Sequence, residues 1–152
     1  MVEGEVHRTE LAVGVPAIRS ILDDPARLAR LVTAAESVEA VGPGRFRAVL
    51  LTRTPFLTVR TDVDALVVEE APDRLRLELD GRPRGISGTV RAVIPVRLEP
   101  LAADRSAVTH RVDVEATGTV ATLGGSMLRG ALERLVADLI HGVEAEAGAG
   151  GA

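Results

Sequence analysis

The sequence predicts an α+β domain: a curved antiparallel sheet of about seven strands wrapped around a long C-terminal helix, with two short helices after the first strand. Three observations predict it. Hydrophobicity alternates with a period of two from Glu36 to Ala116, broken only at Gly, Pro and Asp clusters. After Gly118 the period lengthens to about 3.6, giving one long amphipathic segment. The chain is 46% apolar, yet Phe46 and Phe56 are its only aromatic residues, so its core must be built from Val, Leu, Ile and Ala.

Residues 2–11 are extended in character, with Val2, Gly4 and Val6 on one face and Glu5, His7, Thr9 and Leu11 on the other. Alternation alone leaves the inward face of this strand open. Gly14-Val15-Pro16 opens a short helix over residues 17–22, which Asp23-Asp24-Pro25 ends. Asp24 is then the N-cap, and Pro25 the first helical residue, of a second helix over residues 26–32.

The meander follows. In residues 45–53, Phe46, Ala48 and Leu50 oppose Arg45, Arg47 and Arg53; in residues 56–68, Leu57, Val59, Val63, Ala65 and Val67 oppose Thr58, Arg60, Asp62 and Asp64. Leu75, Leu77 and Leu79 face inward from residues 74–80, and Val90, Ala92, Ile94, Val96 and Leu98 from residues 86–98. In residues 106–116, Val108, His110, Val112 and Val114 oppose Thr109, Arg111, Asp113 and Glu115. Gly42-Pro43-Gly44, Thr54-Pro55, Ala71-Pro72-Asp73, residues 81–85 and Ala102-Ala103-Asp104 supply the turns. In the last helix Val120, Leu123, Met127, Leu128, Ala131, Leu132, Leu135, Leu139 and Val143 form a stripe opposite Arg129, Glu133, Arg134 and Asp138. One domain over residues 1–147 and a flexible stub at 148–152 account for the chain.

Composition narrows function. The 18 basic and 22 acidic residues leave a net charge of −4, and no basic block or stacking Tyr or Trp is present, which excludes a phosphate-tracking nucleic-acid surface. Without Cys there are no disulfides or thiolates, and three separated histidines (His7, His110, His141) do not make a zinc site, so neither metal nor cofactor is expected. No run approaches the roughly 20 apolar residues that span a bilayer, and the N-terminus lacks the order of a signal peptide, so the cytoplasm is the expected compartment.

A sheet with one apolar face needs a cover, and the last helix is the only long candidate. A strongly bent sheet leaves space beneath such a helix, and Gly124, Gly125 and Gly130 either thin the helix beside that space or merely relieve crowding. The expected lining is Phe46, Leu50, Thr52, Val59, Thr61, Val63, Leu77, Val90, Ile94, His110 and Val112 from the sheet, with Met127, Leu128, Ala131 and Leu135 from the helix. Thr52 and Thr61 would bond a ligand head group. His110 would donate to a ligand carbonyl, or else serve as an ordinary core histidine. Trp at Ala131 or Val90 is expected to block the space.

Several segments resemble the family of the carbon monoxide dehydrogenase G subunit, within the START-related, helix-grip superfamily of lipid-transfer and cyclase-like domains. They are Leu22-Asp23-Asp24-Pro25, Glu36-Ser37-Val38, and Val112-Asp113-Val114-Glu115-Ala116-Thr117-Gly118 running into Leu123-Gly124-Gly125-Ser126-Met127-Leu128. The chain departs from the family pattern at Arg19, at Thr33-Ala34-Ala35 and near Leu139. The resemblance implies a helix-grip fold and non-enzymatic carriage of a lipid or quinone in an internal cavity. It further implies service to a molybdenum hydroxylase such as carbon monoxide dehydrogenase, with transient contact at the inner face of the cytoplasmic membrane. Two other classes stay open, a cyclase, dehydratase or hydrolase acting in the same cavity, and a ligand-free interaction module. Homodimerisation is left open too.

Overall fold

In the computed structural model, which describes residues 1–33, 35–53, 55, 58–122 and 125–150, β1 (His7–Leu11) leads into α1 (Val15–Leu22) and α2 (Pro25–Arg30). The meander comprises β2 (Ala35–Gly42), β3 (Arg45–Arg53), β4 (Thr58–Ala71), β5 (Arg74–Pro83), β6 (Val90–Ala102), β7 (Arg105–His110) and β8 (Asp113–Ala116). Helices α3 (Gly118–Thr122) and α4 (Gly125–Gly150) complete the chain. The predicted strand start at Phe56 and Leu57, and the stripe and glycine positions Leu123 and Gly124, lie outside the described residues.

The sheet runs β1-β7-β6-β5-β4-β3-β2 with every pair antiparallel, and β8 pairs with β6 beyond the end of β7. It therefore has eight strands, one more than alternation predicts, and Pro95 is the reason. A strand residue points its N–H and C=O toward the same neighbour, and Arg111 N–H donates to the Pro95 carbonyl at 3.3 Å. Pro95 has no N–H to return to Arg111, so the ladder breaks there. Pairing ends at Val96↔His110 and resumes at Val93↔Asp113, dividing the expected 106–116 strand into β7 and β8.

The first strand is shorter than expected. Residues 2–6 are tied by an isolated bridge between Val2 and Val114, and β1 begins at His7. Leu11 is buried and pairs with Ser106, so His7, Thr9 and Leu11 form the inward face. Strand β5 runs through the predicted turn at Gly81-Arg82-Pro83 because these residues still pair with Val63, Asp62 and Thr61. Helix α2 begins as the capping chemistry dictates: the Asp24 carboxylate accepts the Arg27 N–H at 3.3 Å, and Pro25 occupies the first turn.

Helix α4 covers the inner face but is turned about its axis relative to the expected stripe. Among its described residues Val136, Val143 and Ala147 are buried, while Met127 is 54% exposed. Polar anchors set this rotation: Arg129 donates to the carbonyls of Val112 and Val2, Glu144 accepts the Ala12 N–H at 2.8 Å, and Glu146 pairs with Arg27 at 3.2 Å. Gly130 faces Arg134, so it does not thin the helix beside the interior. Gly142 lies against Leu31, where an added side-chain carbon would make ordinary contact at 3.6 Å. The helix also continues through Gly148 to Gly150, into the predicted stub. Among the described residues no helix is long and apolar enough to cross a membrane.

Candidate ligand-binding cavity

Two packed clusters make up the core. One joins Leu11, Ile18, Ile21, Leu98, Val108 and Val143 at the α1 end; the other joins Ala48, Val63, Ala92, Ile94, Val112 and Val136 toward β8. Between them lies a cavity of about 170 Å³. Its floor is the inner face of β3 to β7, with Phe46, Leu50, Val63, Ala65, Val67, Leu75, Leu77, Ile94, Val96 and Val108. Its roof is Leu135, Val136, Leu139, Ile140 and Val143 of α4, and Ile18, Leu22, Leu28, Ala29 and Val32 close the α1–α2 end. Each described lining residue is aliphatic or Phe, so this wall presents no side-chain hydrogen-bonding group.

Of the residues expected to line the space, Phe46, Leu50, Val63, Leu77, Ile94 and Leu135 do so. Thr52 and Val59 pair with each other near the tip of the β3–β4 hairpin, and Thr61 pairs with Leu50 and Pro83, all three off the cavity wall. Val90 sits opposite Gly81 and Ala116, and Val112 is fully buried in the second cluster. Leu128 and Ala131 are half-buried in the first turns of α4, and Met127 faces solvent. These eight and His110 lie off the wall for one reason: the expected set leans toward the start of α4, whereas the second half of that helix spans the space. Strand and stripe reasoning also misses the two short helices. Their signals are the i, i+4 pairs Ile18/Leu22 and Leu28/Val32, apolar faces that short helices must turn inward.

His110 is buried but sits beside the cavity rather than on its wall. Its ring stacks on that of His7 across the β1–β7 pair, with centroids 5.4 Å apart. The Glu133 carboxylate on α4 lies 3.8 Å from His7 Nε2, too far for a good hydrogen bond. His110 Nδ1 and His7 Nε2 are buried without partners among the described residues. Burial, and then the neighbouring His7, hold the His110 pKa below its ordinary value, with Glu133 opposing them.

This makes stability pH-dependent with a definite sign. Below the ordinary histidine pKa of 6.5 the unfolded chain takes up a proton that folded His110 resists, so stability falls as pH drops through that point. The urea midpoint is expected to be lower at about pH 5.5 than at about pH 7.5, and His110→Gln to flatten the difference. The Arg-paired carboxylates Glu36, Asp62 and Asp64 have pKa values lowered from 4.5 or 3.8, so their contribution is lost in a separate window at lower pH. An unchanged slope in the variant would assign the dependence to another group.

Comparison with known proteins agrees with this architecture. A sequence model described as the carbon monoxide dehydrogenase G subunit, CoxG, matches residues 10–148. A conserved protein from Geobacillus kaustophilus is 25% identical with a TM-score of 0.79, covering 97% of this chain and 95% of that one. A START superfamily protein from Mycobacterium smegmatis is 14% identical at TM-score 0.71, covering 95% and 97%, and an aromatase/cyclase from a Streptomyces species is 17% identical at 0.62, covering 94% and 92%. The last two likenesses show the helix-grip fold alone. No curated protein sequence matches.

Proposed function

The chain belongs to the CoxG family, that of the carbon monoxide dehydrogenase G subunit, and on that premise we propose that it binds and carries a lipid or quinone-like molecule in the cavity beneath α4. One observation carries this reading: an apolar space of about 170 Å³ between two well-packed clusters. At about 24 cal/mol per Å³, leaving such a space empty costs about 4 kcal/mol, a large part of the net stability of a small domain. A greasy guest recovers that loss. Burying about 300 Å² of its surface supplies about 7 kcal/mol, offset by association costs of similar size, so a modest affinity that permits loading and release is expected.

The wall favours carriage over chemistry. Its described side chains offer burial and no proton to exchange, whereas a cyclase or hydrolase needs an acid or base in reach of its substrate. The family name supports service to carbon monoxide dehydrogenase, and on this reading the chain collects its guest in the cytoplasm or at the inner face of the membrane. The direct test is native purification followed by solvent extraction and mass spectrometry. A quinone or lipid near one equivalent is the expected result; an empty protein that also fails to bind menaquinone and ubiquinone analogues would falsify the proposal.

A further inference from the structure

The cavity wall is too apolar to take the polar end of any amphiphile. An oxygen-bearing group buried there would forfeit its hydrogen bonds to water with no described side chain to replace them. If the cavity holds the guest, as proposed above, its head must lie elsewhere. A second depression adjoins the first between α2 and β2. Ala29, Val32 and Val38 line both, so only small and branched side chains separate the two spaces. The outer depression, unlike the inner one, carries polar residues: Arg30, Glu36 and Ser37.

We propose that the cleft between α2 and β2 is the mouth of the cavity, and that Arg30 there binds the acceptor oxygens of an amphiphile whose hydrocarbon part fills the interior.

The charges at this rim fit that role. Glu36 is held by two nitrogens of the Arg60 guanidinium, Nε at 2.9 Å and Nη2 at 3.1 Å, which neutralises it. Arg30 is exposed and takes part in no ion pair among the described residues, whereas Arg27, one turn earlier, is bound to Glu146. A guanidinium donates two parallel hydrogen bonds and so suits a carboxylate, and it also suits a single carbonyl oxygen. The mouth lies beside the edge of the sheet. β2 is an edge strand whose ladder runs only to β3, with register shifts at Ala35/Ser37 and Ala40/Gly42, so parting α2 from it breaks no strand pairing. The Arg27–Glu146 pair meanwhile fastens α2 to α4 and leaves the Arg30 guanidinium to the rim.

The test uses three probes by isothermal titration calorimetry: dodecanoate, a naphthoquinone with a short isoprenoid chain, and naphthalene, which has no head. Arg30→Leu is expected to weaken the oxygen-headed probes by about tenfold or more and to leave naphthalene within about twofold. Arg30→Gln, which keeps a neutral donor, separates the two head chemistries: it restores the quinone but not the carboxylate. Melting curves confirm that both variants fold. If Arg30→Leu leaves both oxygen-headed probes unchanged, or if the wild type takes naphthalene and neither of the others, the assignment of the mouth is wrong. Failure of the underlying cavity reading looks different, because naphthalene binding would then survive Ala65→Phe, which fills the interior.

Discussion

Ala65→Phe abolishes ligand binding while leaving the domain folded and somewhat more stable. Ala65 lies on the inner face of β4, paired with Phe46 and Leu79, and its methyl group faces the cavity. A phenyl ring there projects into empty space rather than into packed neighbours, so overpacking is avoided, and it carries no polar atom for the apolar wall to leave unpaired. Affinity for a quinone or lipid probe is expected to fall about 100-fold or more, because ring and guest compete for one volume. Filling part of the void recovers about 1–2 kcal/mol, a rise in Tm of about 2–8 °C for a chain of this size. Calorimetric titration and thermal melts read both effects. Undiminished binding in a folded variant would place the guest elsewhere. Ala131 and Val90, the positions that alternation and the helical stripe suggest for such a block, lie outside the wall, and Trp at either would leave the space open.

Gly88→Ala has the largest expected effect on folding. Gly88 adopts a φ of +111° in the β5–β6 loop, and Gly118 a φ of +63° at the start of α3. The two backbones touch glycine to glycine: a side chain on Gly88 would run into the Thr117 carbonyl, and one on Gly118 would lie 2.8 Å from the Gly88 Cα. Around this contact Thr117 N–H donates to the Thr89 carbonyl at 2.9 Å and Val120 N–H to the Ser87 carbonyl at 3.1 Å. The clamp fixes where the chain leaves the sheet for α4. Alanine at Gly88 combines a disfavoured φ with a backbone collision, and a loss of about 3 kcal/mol or more is expected. Gly85 is the control. Its φ is also positive, at +78°, but nothing lies within 4 Å of its missing side chain, so Gly85→Ala should cost only about 1–2 kcal/mol. Equal urea midpoints for the two variants would show that the close approach contributes nothing.

The His7–His110 pair marks the distance between sequence and site. Alternation places His110 on the inner face, where it is, since it pairs with His7 on one side and Val96, a cavity residue, on the other. What alternation cannot say is how far along that face the guest lies.

By itself the sequence determined most of what is local and periodic. Strand residues face one way or the other every second position, turns need Gly, Pro or Asp, and Asp24-Pro25 caps a helix; these follow from backbone geometry and side-chain chemistry within a few residues. Only the tertiary structure decided how the faces meet. The rotation of α4 is set by Arg129, Glu144 and Glu146 reaching backbone and side chains far away in sequence. The break between β7 and β8 is set by a proline on the neighbouring strand. The cavity arises from the second half of α4, two short helices and one stretch of the sheet failing to fill a common volume, and a volume shared by distant segments has no period that a sequence can display.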